Sequence, residues 1–267
     1  MAELQIIAIT RFAYPGLGGF QTRHETVAER AAFLWAPARM EARLRSLEHV
    51  CMATLAAQTD GGFRHLLITG DALPEPWRGR LETLAARLPQ TELIFHPPQN
   101  HRQAMEAIVT ARIDPDGPPV MQFRQDDDDG VARSFVARAR ETFRQVRPLW
   151  ERHERLAIDF NRGYMLALGP EGVRVEETAR NHLGVAQALV LPPGLRRTAI
   201  HFPHHKLGLL MPSVTLPDAC MWLRGVDGMN DSPMPQAADR LAPPSPEQRA
   251  DLETRFRLDL DAIARSF

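Results

Sequence analysis

Lysine is almost absent from this 267-residue chain: Lys206 is the only one, and arginine carries the rest of the basic charge. Any phosphate contact therefore falls to guanidinium forks rather than to ammonium groups. Cysteine is nearly missing too. Cys51 and Cys220 alone give neither a disulfide framework nor a cysteine-rich zinc pattern, and both are expected to pack as small apolar groups. Neither sign of charge is in excess: 32 basic against 33 acidic residues leave a formal net charge of −1, which argues against nucleic acid or an anionic membrane as a partner. No apolar run has the length of a membrane-spanning helix, and Glu3 stands where a secretory leader needs a basic residue, so a cytoplasmic location is expected. No fixed-period repeat is present, which excludes solenoids. What is there, 44% hydrophobic and 24% charged, is a globular composition, with length enough for one large α/β domain or two small ones.

The first half of the chain alternates strand and helix patterns. Residues 4–10, 63–69, 91–95 and 120–123 read as strands, the first an Ile-rich run of the kind buried on both faces. Between them, Met40, Leu44, Leu47, Val50, Cys51, Thr54 and Leu55 recur at helical spacing, and helices are also predicted over 77–88 and 99–112. This order predicts a doubly wound α/β domain with a mostly parallel central sheet flanked by helices. A helix over 132–146, stopped by Pro148, precedes short strands at 156–160, 163–168 and 173–176. Further strands are expected at 185–191 and 198–202, which makes a smaller, β-rich C-terminal part. Proline-rich 232–246 reads as a linker, and 246–267 as an amphipathic helix with Leu252, Phe256, Leu260 and Ile263 inward and Ser245 with Gln248 as its capping box.

Charge concentrates at one point. After the apolar strand residues Val120, Met121 and Phe123 comes Arg124-Gln125-Asp126-Asp127-Asp128-Asp129-Gly130. Four adjacent carboxylates are costly away from water unless cations or hydrogen-bond donors compensate them. Their place, past the end of a strand, is where open α/β sheets bind ligands. In an extended chain Asp126 and Asp128 project to one side and Asp127 and Asp129 to the other, so the first pair can share a divalent ion that also holds a nucleotide diphosphate. A solvated acidic loop is the competing reading.

Other candidates are more diffuse. Thr10, Arg11 and Phe12 end the first strand and offer a hydroxyl, a guanidinium and a ring to a base or ribose, or form an ordinary strand exit. The loop around Gly16, Gly18 and Gly19 lacks the lysine of a P-loop and is read as a mobile loop beside a site. Asp71 follows the second strand as a ribose contact or a turn cap. Arg102 opens a helix as a diphosphate partner or an exposed arginine. His201, His204 and His205 are taken mainly as structural, with one possible ligand among them. Around Asp227, two glycines allow close backbone approach to a ligand.

Several of these stretches together resemble the bacterial "putative rhamnosyltransferase" family, a branch of the GT-A glycosyltransferases. They are Ile9-Thr10-Arg11-Phe12, Gln58-Thr59-Asp60, Leu67-Ile68-Thr69-Gly70-Asp71, the acidic run after Arg124, and Trp222-Leu223-Arg224 through Asn230-Asp231-Ser232. The resemblance covers residues 5–232 and implies a GT-A-like domain that binds a UDP-, GDP- or dTDP-linked sugar and transfers the sugar to a glycan or other hydroxyl acceptor. It implies an Asp-x-Asp pair, Asp126 and Asp128 with Asp129 adjoining, for Mn²⁺ or Mg²⁺, and places Thr10 and Arg11 at the nucleotide. Phe12, Asp71, Arg102, Arg124 and Asp127 complete the expected donor contacts. Where relatives have a histidine before a glycine, this chain has Asp227, so a third metal ligand there would be a carboxylate or absent. Asp227 and Asp231 are the candidate general bases if transfer inverts, with turn residues as the competing reading. The expected organisation is a catalytic domain over 1–232, with a donor half at 1–130 and an acceptor half at 131–232, then a linker and helix over 233–267. A non-catalytic, divalent-ion-dependent carbohydrate-binding or scaffold protein is the alternative, with a sugar nucleotidyltransferase behind it because the expected lysine of its glycine-rich loop is missing.

Overall fold

A computed structural model of the chain describes residues 3–18, 24–226 and 240–267. The first half follows the strand-helix alternation. Strand β1 (Gln5–Arg11) leads through α1 (Val27–Leu34) to α2 (Pro37–Ser46), whose backbone continues as a π-helical turn (Leu47–Met52) into α3 (Ala53–Ala56). The helical stripe from Met40 to Leu55 is buried throughout, as its spacing requires. Next come β2 (Arg64–Gly70), α4 (Trp77–Ala85), β3 (Thr91–His96), α5 (His101–Thr110) and β4 (Val120–Arg124). These four strands are parallel neighbours in the order β3-β2-β1-β4. Each is followed by a loop at the same edge of the sheet, so the ends of β1, β2 and β4 lie together.

The sheet as a whole is mixed, which corrects the mostly parallel expectation. After the short β5 (Gly130–Val131) and α6 (Phe135–His153), the chain adds β6 (Leu156–Gly169), β7 (Gly172–Ala179) and β8 (Gln187–Leu191), then α7 (Leu207–Leu210) and β9 (Ser213–Gly225). β8 pairs antiparallel with β4 and with β6, β7 pairs antiparallel with β6, β9 runs parallel to β6, and β5 runs antiparallel to β9. The β-rich part is therefore a continuation of the same sheet rather than a separate meander. Residues 156–168, expected as two strands, form one strand that carries a register shift between Phe160 and Gly163. Residues 199–201 make a 3-10 turn instead of a strand.

Pro148 does not stop α6. The helix runs to His153, where Glu154 takes a left-handed conformation, and Trp150 beyond the proline packs edge-on against the buried Phe143. That anchor outweighs the hydrogen bond lost at the proline. The C-terminal segment is two helices, α8 (Pro246–Thr254) and α9 (Leu260–Ser266), broken where Arg257 adopts positive φ. Leu252, Phe256, Leu260 and Ile263 are buried as expected, and Ser245 with Gln248 forms the capping box. Cys51 and Cys220 are buried free thiols, and burial pushes Cys51 up to about 12 and Cys220 up to about 11. Among the described residues no helix is long and apolar enough to cross a membrane.

Candidate functional site

The acidic run leaves β4 as a turn rather than as extended chain: the Asp129 N–H donates to the Asp126 carbonyl at 3.0 Å. The alternation expected for an extended segment is thereby replaced. Asp127 and Asp128 share one partner, Arg43, and Asp126 and Asp129 share another, Arg224. Arg43 projects from α2 and grips Asp127 through two hydrogen bonds, with its Nη1 at 3.3 Å from Asp128 Oδ2. Arg224, near the end of β9, donates to Asp129 Oδ2 at 2.8 Å and stands 3.6 Å from Asp126. Arg11, at the end of β1, is 3.7 Å from the other oxygen of Asp126. Asp127, Asp128 and Asp129 are buried, whereas the Asp126 side chain keeps 31% exposure. The run is neither a solvated acidic loop nor bare charge; guanidinium groups reached from α2, β1 and β9 compensate it.

The electrostatics separate the four. Burial works to raise the Asp126 pKa, but Arg124, Arg11 and Arg224 outweigh it and hold the carboxyl well below its usual range. Asp129 goes the other way: burial pushes it up, with Asp128 and Asp126 adding, against Arg224 and the Gly225 N–H. Both Asp129 oxygens accept, Oδ1 from Gly225 N at 3.1 Å and Oδ2 from Arg224. Asp128 Oδ2 is buried and accepts no hydrogen bond. Its carboxyl lies so close to Gly225 that a Cβ there would come within 2.5 Å of Oδ2, so only glycine admits the turn at this depth.

The turn is anchored from below by the π-helical segment. Gln125 Nε2 donates to the Cys51 carbonyl (3.3 Å), to Thr54 Oγ1 (3.2 Å) and to the Asp129 carbonyl (3.0 Å). Thr54 Oγ1 donates to the Cys51 carbonyl at 3.1 Å and accepts from Val131 N at 3.3 Å. The widened turn thus serves as the receptor for the base of the acidic loop, a use of π-helical turns that recurs at functional sites.

Arg124 closes β4 beside this turn. Burial lowers its pKa, and among the described residues its guanidinium has neither a hydrogen bond nor an ion pair, although Asp126 acts on it electrostatically. Nη2 approaches Gly184 so closely that a Cβ would stand 2.8 Å away, and Gly184 has φ +97°, so a glycine is needed there twice over. The segment holding it is left-handed at His182 and Ala186 as well. His182 N donates to Asp159 Oδ2 at 3.0 Å, Gln187 Nε2 donates to His182 Nδ1 at 2.8 Å, and His204 Nδ1 donates to the His182 carbonyl at 2.6 Å.

Several expected contacts are placed elsewhere. Thr10 is wholly buried, with its hydroxyl on His65 Nε2 (3.0 Å) and Cys51 Sγ (3.7 Å), and Phe12 is wholly buried in the core. Successive side chains of a strand point to opposite faces, so of the three residues ending β1 it is Arg11 that reaches the acidic turn. Asp71 and Arg102 are both exposed, the latter just after the Asn100 cap of α5. Tyr14, Leu17 and Gln99 are tied together, so the segment up to Gly18 is docked against 97–101. The three histidines do not converge on one point: His201 Nδ1 is bonded to Thr198, while His204, bonded to the His182 carbonyl, stands edge-on to His205 at 5.5 Å between ring centres. Asp227 and Asp231 lie outside the described residues. Arg43 was not legible as a site residue, because on its own it is one more arginine on an amphipathic helix. Arg224 lay within the stretch Trp222-Leu223-Arg224 and Gly225 was one of the two glycines around Asp227, but neither was given a role at the acidic run.

The chain matches, over residues 5–239, the family model described as "Putative rhamnosyl transferase". No curated protein matches it. Among solved structures it is similar to S. aureus TarS 1–349, with 9% identity, a TM-score of 0.41, and coverage of 83% of this chain and 60% of that one. The same TarS fragment in complex with UDP-GlcNAc gives 8% identity, a TM-score of 0.44, and coverage of 87% and 62%. A glucose-1-phosphate thymidylyltransferase of Bacillus anthracis, described as putative and in complex with a sucrose, gives 11% identity, a TM-score of 0.35, and coverage of 89% and 93%. The chain thus spans about three fifths of the TarS fragment.

Proposed function

We propose, from the premise that this chain belongs to the family described as putative rhamnosyl transferase, that it is a GT-A-type glycosyltransferase moving a sugar, rhamnose in the first instance, from a nucleoside diphosphate to a hydroxyl acceptor. The observation that carries the reading is Arg124, whose guanidinium stands at the end of β4 without a hydrogen-bond or ion-pair partner among the described residues, beside Arg11 and the half-exposed Asp126. A planar fork in that setting matches a diphosphate oxygen pair. As the bond from the anomeric carbon to the diphosphate breaks, its electron pair stays on the phosphate oxygen, and Arg11 and Arg124 stabilise charge that grows there in the transition state. Residues 1–130 form the donor side in this reading and 131–232 the acceptor side. The acceptor hydroxyl gives its proton to a carboxylate, for which Asp227 and Asp231 remain the candidates if transfer inverts.

The family implies a divalent cation, and the acidic turn fits one in part. Asp127 and Asp129 are spent on Arg43, Arg224 and the Gly225 N–H. Asp126, partly exposed and held ionised, and Asp128, whose Oδ2 accepts no hydrogen bond and would exchange its 3.3 Å contact with Arg43 Nη1 for the ion, would hold Mn²⁺ or Mg²⁺. Among the described residues no group of three or more His, Cys, Asp and Glu side chains is arranged for a metal, so protein ligation would rest on this pair and on substrate oxygens. A bound cation would draw charge from the diphosphate as it leaves.

Calorimetry with UDP-, GDP- and dTDP-sugars, with and without Mn²⁺, tests the reading. Arg124→Ala is expected to weaken nucleotide binding about tenfold to a hundredfold, the size of one or two charge-assisted hydrogen bonds. Asp128→Ala is expected to remove the Mn²⁺-dependent part while the fold is kept. A protein that binds none of the donors, in either condition, is not a glycosyltransferase of this type.

A further inference from the structure

A cavity adjoins the acidic turn at Asp128, and neither Arg11 nor Arg124 is among its lining residues. It encloses about 280 Å³ and is lined by Arg45 and Ser46 of α2, Asp128, Leu166 and Leu168 of β6, Val226, and Phe267. Its two halves differ in character. Leu166, Leu168, Val226 and the Phe267 ring make one wall apolar. The polar lining is Asp128, 5% exposed and paired with Arg43, and Ser46, 4% exposed with a hydroxyl that makes no hydrogen bond to a described residue. Buried polar groups in native proteins are almost always satisfied, so a serine hydroxyl left open on the wall of a cavity, beside a carboxylate, marks a group kept for a ligand.

The lining also says which ligand does not belong there. Arg45 is the single cation among the lining residues, and it is already committed: Nη1 donates to the Ser266 carbonyl at 2.6 Å and the guanidinium lies 5.2 Å from the centre of the Phe267 ring. A diphosphate would find no free guanidinium here, whereas the Arg11 and Arg124 side of the turn offers one. The volume lies just under the roughly 300 Å³ at which pockets for drug-sized ligands begin, which suits one sugar ring with a small substituent. Asp128 belongs to the same turn as Asp126, so a hydroxyl bonded to Asp128 sits within one β-turn of the diphosphate side. Asp128 Oδ2 is covered by Gly225 and turned to Arg43, so that hydroxyl falls to Oδ1, whose hydrogen bond from Arg43 Nη2 is long at 3.4 Å.

We propose that this cavity is the acceptor pocket and that it takes a glycoside with an apolar aglycone, its hydroxyl groups on Asp128 and Ser46 and its apolar part against Leu166, Leu168, Val226 and Phe267; this rests on the glycosyltransferase reading above. The probe is phenyl β-D-glucopyranoside, titrated into the full chain carrying ¹³C-labelled methyl groups, with glucose as the comparison and UDP added in a parallel series. The Leu166, Leu168 and Val226 methyl resonances are expected to shift saturably with the phenyl glucoside and to need at least ten times more glucose for the same effect. Leu168→Trp, which fills the cavity from a half-buried position, is expected to abolish the shifts. Ser46→Ala is expected to weaken binding about fivefold, the size of one ordinary hydrogen bond, and carries the test if the tryptophan variant does not fold. Methyl groups that stay put, or shifts equally large for Leu168→Trp, overturn the pocket assignment. If binding of any of the UDP-, GDP- or dTDP-sugars survives in that case the donor reading stands without the pocket; if all three are absent, both fall.

Discussion

Arg224 donates to Asp129 and stands between Asp129 and Asp126, where its own charge is strongly favoured by both carboxylates. Removing one partner of a buried ion pair leaves the other uncompensated, at a cost of about 3–5 kcal/mol, whereas replacing both together costs far less. Arg224→Met is therefore expected to lower stability by about that amount in urea denaturation, and Arg224→Met with Asp129→Leu to recover a good part of it. His65 makes a prediction of a different kind. Its imidazole is wholly buried between Thr10 and Thr91, and burial depresses its pKa to about 3. The unfolded chain, with its histidine near about 6.5, binds the proton first, so between about pH 6.5 and pH 3 the unfolded state carries more protons and stability falls as pH falls. The full contribution is present above that window. His65→Asn is expected to flatten the loss of stability between pH 6 and pH 4 by up to about 1.4 kcal/mol per pH unit, measured as the difference in urea midpoints between the two proteins. A variant with the unchanged slope would assign the acid sensitivity to other groups.

At the scale of elements, the acidic turn is positioned by the π-helical segment more than by its own sequence. Thr54→Val keeps the volume but strands the Val131 N–H and removes one of the three acceptors that hold Gln125. An unsatisfied buried donor costs about 1–3 kcal/mol. The variant should lose that much stability and also bind donor nucleotide more weakly, because the turn it anchors is released; calorimetry and urea denaturation on the same preparation check both. The sequence could not have shown this receptor. It announced the helix through the stripe from Met40 to Leu55, and the parallel strands β1 to β4 through their apolar runs, because those patterns follow from burial along a single element. It could not announce that Arg43 and Arg224, some eighty and one hundred residues from the aspartates, would compensate them, since that depends on which elements meet. The alternation rule failed at Asp126 to Asp129 for a local reason: the Asp129 N–H closes a turn on Asp126, and a turn does not alternate. At Thr10 the same rule held, and it turned the hydroxyl away from the cleft toward His65.

For the molecule as a whole, the decisive feature is that the strands before and after residue 130 belong to one sheet. β4 lies between β1 and β8, with Val120 facing Gln5 on one side and Leu191 on the other, and β5 reaches across to β9. Phe135, from α6, packs its ring against Phe123 of β4 and Phe160 of β6, at 4.8 Å and 5.6 Å between centres, so the core also crosses the division at residue 130. Residues 1–130 on their own would expose one whole edge of β4 and the apolar face that α6 covers, an arrangement prone to association rather than folding. The intact chain is accordingly expected to unfold in a single transition. Trp35 and Trp77 report the first half and Trp150 and Trp222 the second, so single-tryptophan variants should give coincident urea midpoints with one another and with far-ultraviolet circular dichroism. A fragment of residues 1–130 should show no cooperative transition. Separate midpoints for the two pairs of tryptophans would mean that the site lies between independently folding halves, and that the guanidinium contacts of Arg224 with the acidic turn form only after the halves dock.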